Sequence, residues 1–171
     1  MKILKLPPIE KISKHLSYDH ETGLFIWLIG RQGIRAGKQA GKTRSDGYID
    51  IKFESIPYLA HRLAWLLYYK EDPLDKYIDH INLIRNDNRI KNLRIASAYQ
   101  NSQNKISPIK CSSGVKGVHW NKNMKKWNVK IMHNGVSNYF GAFSTVEEAT
   151  QIAISARNKL HGEFANHDTK D

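Results

Sequence analysis

Residues 77–105 read YIDHINLIRNDNRIKNLRIASAYQNSQNK. Apolar and β-forming residues run up to His80, a polar loop rich in Asn, Asp and Arg follows, a second short strand covers Leu93 to Ala96, and Ser97 stands where it can cap a helix. Strand, loop, strand and helix in that order predict a small α+β core around which the rest of the chain is to be fitted.

The same stretch carries the chemistry. Hydrolysis of a phosphodiester needs an activated water, a cation on the charge that builds at phosphorus and the leaving oxygen, and a scaffold that orients both. Asp79 and His80 are adjacent, so at the end of a strand their side chains leave on different faces, a carboxylate toward a metal and an imidazole toward a water. A neutral imidazole titrates near physiological pH and suits proton abstraction from water. Asn101 lies on the following helix, and its amide oxygen is a hard ligand of the kind magnesium or manganese accepts.

Upstream, residues 61–69 (HRLAWLLYY) have the length and apolar density of a short buried helix that Pro73 terminates. His61 at its start is expected to be a packed core residue; Arg62 is placed to meet either a phosphate or Asp79. Residues 47–53 (GYIDIKF) and the LFIWL run after Gly23 read as strands, and residues 9–16 have weak helical spacing. Between them GRQGIRAGKQAGKTR, residues 30–44, sets Arg31, Arg35, Lys38, Lys42 and Arg44 among four glycines without an acid. Such a loop is either solvated and flexible or a phosphate-contacting element, and these five cations are DNA-contact candidates.

Downstream, ISPIKCSSG at 106–114 lacks periodicity and predicts a linker, placed at residues 106–113. Beyond it VKGVHW, KWNVKIMH and SNYFGAF read as three strands, with Asn134-Gly135 as a hairpin turn. Thr145 and Glu148 form a capping box ahead of an apolar stripe at Ala149, Ile152, Ala153, Ala156 and Leu160. From Gly114 to Val146 there are five lysines and no acidic residue, interleaved with aromatics, which predicts a sheet with one apolar and one basic face.

Residues 58–105, with AHRLAW, IDHIN, DNRIKNLR and QNSQN, resemble the HNH homing-type endonucleases of phages and mobile introns, whose core is a ββα-metal fold. The resemblance implies that His80 is the general base, that Asn92 pins the loop, and that Asp79 and Asn101 bind one divalent ion, magnesium or manganese. Eleven residues separate His80 from Asn92 and eight separate Asn92 from Asn101, as the family pattern requires. One departure is Leu83, where related sequences commonly carry Gly after DHIN. Residues 113–166, with GVKGVHW, KKWNVKI, YFGAFSTVEEA and GEFA, resemble the apetala/ethylene-response-factor DNA-binding domain, three antiparallel strands on one helix. That likeness implies a sheet in the major groove with Lys116, His119, Asn121, Lys122, Lys126, Trp127, Lys130 and Tyr139 as contacts. Lysine stands where plant relatives carry arginine, and it lacks the planar fork that reads guanine.

The expected organisation is thus an HNH nuclease domain over residues 1–105, with its core at 58–105 and a β-rich segment before it. A linker at 106–113, a DNA-binding domain at 114–166 and a tail at 167–171 follow. The fold class is α+β: the ββα-metal core plus a three-stranded antiparallel sheet packed on one helix. A net charge of +11 makes nucleic acid the first partner to consider, a sign that a ribosomal or solubility role would share, and the resemblance implies double-stranded DNA, with no obligate protein partner evident. Hydrophobic residues at 40% and charged residues at 25% match a folded chain rather than a disordered one. The single cysteine, Cys111, excludes an intramolecular disulfide, and no apolar run is long enough to span a bilayer. A cytoplasmic protein is expected, in a bacterial host cell if phage-encoded. A non-catalytic DNA-binding regulator and an RNA-binding protein or ribonuclease remain the alternatives at this level. For a monomer with one active site, nicking is the simpler expectation.

Overall fold

Pro7 and Pro8 delay the first regular element to a single turn, α1 (Ile9–Ile12), in the computed structural model of the chain, which describes residues 4–30, 33–103 and 113–167. The chain divides into two compact units, Met1–Ala98 and Tyr99–Asp171. Both mix short helices with small antiparallel sheets, as an α+β class requires. Apart from Ser113 the expected linker falls outside the described residues, as does the expected tail apart from His167.

In the first unit β1 (Leu16–Tyr18) pairs antiparallel with β2 (Phe25–Trp27). Gly23, with φ +74°, supplies the left-handed residue that this hairpin needs. Strands β3 (Lys42–Thr43), β4 (Ile49–Phe53) and β5 (Ile56–Leu59) form a second antiparallel sheet with β4 central. The chain passes from β5 into helix α2 (Ala60–Tyr69), whose apolar density buries most of its surface, including Leu63, Ala64 and Leu66. It stops before Pro73, at Lys70, which takes the left-handed conformation and returns its N–H to the Leu66 carbonyl at 3.0 Å. Ile12, Leu16, Phe25, Ile51, Leu63 and Leu93 share one core, and each such buried apolar side chain contributes about 2 kcal/mol.

That core carries the hairpin of β6 (Tyr77–His80) and β7 (Leu93–Ala96), joined by the polar loop and a 3-10 turn at Ile90–Asn92. The register sets Asp79 opposite Arg94 and His80 opposite Leu93. Helix α3 (Ala98–Gln103) follows, and the boundary between the two units falls within its first turn.

The second unit is built on β8 (Val118–Asn121), β9 (Lys126–His133) and β10 (Val136–Phe143), antiparallel with β9 in the middle. Asn134 and Gly135, both at positive φ, make the predicted turn. Helix α4 (Val146–His161) is capped as its sequence demands, the Thr145 hydroxyl accepting the Glu148 N–H at 3.2 Å. Val118, Val129 and Ile131 face Ala149, Ala153 and Ala156 in its core. Ile152 departs from the expected stripe and is exposed, while Arg157 is buried in the helix, donating to the Lys116 carbonyl and lying 2.9 Å from His167 Nδ1. Among the described residues no helix is long and apolar enough to cross a membrane.

Candidate active site

Strand β6 delivers Asp79 and His80 side by side, and pairing with β7 decides what each meets. Asp79 is buried, and its Oδ2 accepts from Arg94 Nε and Nη2, each at 2.9 Å. This fork-on-carboxylate contact follows from the register, which sets the two residues directly opposite. His80 is also buried, with Nε2 3.4 Å from the Oδ1 of Asn88. The rings of His61 and His80 meet edge to face at 5.1 Å, and Tyr48 lies 5.3 Å from the first and 5.8 Å from the second. Burial pushes both imidazoles toward the neutral form, His61 well below its usual range with the neighbouring His80 adding to the effect, while at His80 the contact with Asn88 and the charges of Asp79 and Asp87 oppose it. A neutral His80 at physiological pH has the protonation state a general base needs.

The loop between the strands is closed by Asn92. Its Oδ1 accepts the Asn82 N–H at 3.0 Å, its Nδ2 donates to the Asp87 carbonyl at 2.8 Å, and its own carbonyl accepts the Ile81 N–H at 2.9 Å. Asp87 takes Arg89 Nε at 2.7 Å and Asn82 Nδ2 at 2.7 Å, and the Arg89 guanidinium holds its carboxyl down at about 2. Leu83, where the resemblance leads one to expect glycine, sits at φ +65° with its N–H on the His80 carbonyl at 3.1 Å, so the tight turn is made with a side chain in place.

Arg62 is corrected. It is 7% exposed and its guanidinium donates to the carbonyls of Lys76 at 2.9 Å and Leu74 at 2.8 Å, so it ties α2 to the chain entering β6. The carboxylate beside it is Asp72 at 3.6 Å, and the guanidinium on Asp79 is that of Arg94. Arg44 is paired with Asp46 at 3.0 Å and Asp50 at 3.4 Å, whereas Arg35, Lys38 and Lys42 are exposed and Arg31 lies outside the described residues. Sequence reasoning missed Tyr48, Asn88 and Arg94, and also Arg85, whose guanidinium sits 5.2 Å over the Tyr48 ring while donating to the Asp46 carbonyl at 2.7 Å. Of these only Arg94 was recoverable, through strand register.

On the donor chemistry, a metal beside β6 would meet hard oxygen in the Asp79 carboxylate. Asn101 lies on α3 in the second unit. Among the described residues there is no cluster of three or more His, Cys, Asp or Glu side chains. A carboxylate oxygen of this kind fits a hard divalent cation that completes its shell with water and substrate phosphate.

In the second unit the pleat sorts the expected DNA contacts. Val129 and Ile131 face the helix, so Lys126, Asn128 and Lys130 face outward. His119 pairs with Asn128 and Tyr139 with Lys130, which brings His119, Lys130 and Tyr139 to one exposed face. The register puts Trp127 on the helix side, half-buried against the core and 5.0 Å from Trp120. Asn121 caps the turn to β9, accepting the Asn123 N–H at 3.0 Å. Lys122 is exposed in that turn and Lys116 precedes β8. Asn128, unforeseen, has a buried Oδ1 with no partner among the described residues.

Residues 58–103 match the HNH endonuclease family, which brackets the β6–β7 hairpin and α3. The chain is 33% identical over 93 residues to Protein 3.8 of Escherichia phage T7, covering 54% of this chain and 76% of that protein. It is also 29% identical over 142 residues to an uncharacterised HNH endonuclease of Acanthamoeba polyphaga mimivirus, covering 82% of this chain and 65%, just under two thirds, of the relative. The chain therefore belongs to the family of the phage protein, and its HNH domain makes it a nuclease, a phosphodiester hydrolase. No solved structure matches it.

Proposed function

We propose that the chain is a metal-dependent DNA endonuclease of the homing type, cutting double-stranded DNA with its HNH segment, residues 58–103, and held on DNA by the three-stranded sheet of its second unit. The observation that carries this reading is the pair on β6: a buried His80 beside a buried Asp79 inside the HNH match. His80 takes the proton from a water, the hydroxide attacks phosphorus in line, the bond to the 3′ oxygen breaks, and that oxygen takes a proton from solvent. The ends are a 5′ phosphate and a 3′ hydroxyl. Asp79 would hold one magnesium or manganese ion, with Asn101 as the second protein oxygen; when bound, such an ion offsets the charge on the leaving oxygen. Arg94 keeps the carboxylate aimed, and Asn92 keeps the loop beside His80 closed.

Anchoring by the second unit is supported by its exposed face of His119, Lys126, Lys130 and Tyr139, which matches phosphate charge and aromatic contact in a major groove. The likeness of residues 113–166 to the apetala/ethylene-response-factor fold supports it further, since the strands are three, antiparallel and backed by one helix. Cleavage of supercoiled plasmid with magnesium, with manganese and with EDTA tests the reading: cutting in either metal and none in EDTA is expected, and binding without cutting in any metal defeats it.

A further inference from the structure

Asn88 is 1% exposed and sits in the loop between β6 and β7, yet it is neither of the loop-closing nor of the proposed ion-binding residues. Its Nδ2 faces the Asn86 carbonyl at 3.5 Å, which turns Oδ1, an acceptor only, to His80 Nε2 at 3.4 Å. A ring nitrogen that faces an acceptor carries the proton, so the lone pair of the neutral imidazole is on Nδ1. The backbone of Asn88 is fixed from far away in sequence. Tyr18 of β1 donates its hydroxyl to the Asn88 carbonyl at 2.7 Å, and the Ile90 N–H reaches the His20 carbonyl at 3.1 Å. Gly23 lies so close that a Cβ there would stand 2.6 Å from Arg89 N and 2.7 Å from the Asn88 carbonyl carbon.

We propose that Asn88 is the positioning residue of His80, holding the imidazole as its Nε2–H tautomer, and that the β1–β2 hairpin is the strut that holds Asn88. The geometry has three independent parts: a side-chain acceptor on the ring, a hydroxyl on the backbone of the residue that supplies it, and a glycine contact that leaves no room for retreat. His61 and Tyr48 limit the tilt of the ring from its other sides. The claim that this tautomer serves proton abstraction rests on the reading of His80 as the base; the tautomer itself does not.

The test is the ¹⁵N spectrum of histidine-labelled full-length protein at pH 8, without metal or DNA, with His80 assigned by His80→Gln. His80 is expected as the Nε2–H tautomer in the wild type, retained in Asn88→Asp, which keeps the acceptor, and lost in Asn88→Leu. On plasmid, Asn88→Leu lowers kcat about 10- to 100-fold at unchanged KM, and Asn88→Asp restores most of it. An Nδ1–H tautomer in the wild type overturns the proposal, and that spectrum decides even if Asn88→Leu fails to fold. A folded Asn88→Leu with the wild-type tautomer overturns it as well. Wild-type protein that shows the tautomer and its dependence on Asn88 but never cuts DNA supports the positioning role and removes the nuclease reading.

Discussion

Replacing Asn92 by alanine removes two side-chain hydrogen bonds at once, to the Asn82 N–H at 3.0 Å and to the Asp87 carbonyl at 2.8 Å. Neutral bonds of this kind are worth about 1 kcal/mol each net, and a partner left unsatisfied away from water adds about 1 kcal/mol or more. Asn82 is exposed and water can rescue its N–H, while Asp87 is half-buried and is rescued less. The sum is a loss of about 2–4 kcal/mol from the first unit. Asn92→Asp keeps the acceptor for Asn82 but turns a carboxylate toward the Asp87 carbonyl, so it should also destabilise. Native-state hydrogen exchange at the buried Ile51 and Leu63 reads the opening of the first unit apart from the second. A loss below about 1 kcal/mol in Asn92→Ala would refute the assignment of Asn92 as the residue that closes the loop.

Gly23→Ala puts a methyl group against the backbone of Asn88 and Arg89 at a φ of +74°, and should cost about 2 kcal/mol or more in the same exchange experiment. Asp87 has its carboxyl lowered from 3.8 to about 2, first by Arg89, so its contribution is fully present above its unfolded value and is lost as pH falls through about 2. With Arg89 partly exposed that contribution is about 1 kcal/mol, and acid titration of unfolding should show a shallower decline below about pH 4 in Asp87→Asn than in wild type. In the second unit, Lys126→Ala with Lys130→Ala should weaken duplex binding by anisotropy and reduce the slope of log affinity against log salt by about 2, whereas Trp127→Phe on the helix side should leave that slope unchanged.

Much of this was legible in local sequence because the signals were local. The individual strands β6 and β7, the Thr145 cap and the Asn134-Gly135 turn each depend on residues within a few positions of one another. What escaped depends on distance along the chain. Tyr18 and Asn88 meet across 70 residues, and no period announces such a pair. Arg62 was assigned by its charge, but a buried guanidinium can spend its N–H groups on backbone carbonyls, which leave no trace in the sequence. Trp127 was taken with its lysine neighbours; strict alternation on β9 puts it with Val129 and Ile131 instead. Asp79 and Arg94 stand between the two cases, since the composition names both and only the register joins them.

The central claim is that His80 is the base of a metal-dependent cut, and the most direct measurement compares wild type with His80→Ala on supercoiled plasmid at matched DNA binding. Wild type is expected to cut with magnesium or manganese and not with EDTA, and His80→Ala to bind equally and cut about 10²- to 10⁴-fold more slowly. Equal cutting rates for the two proteins would contradict the account.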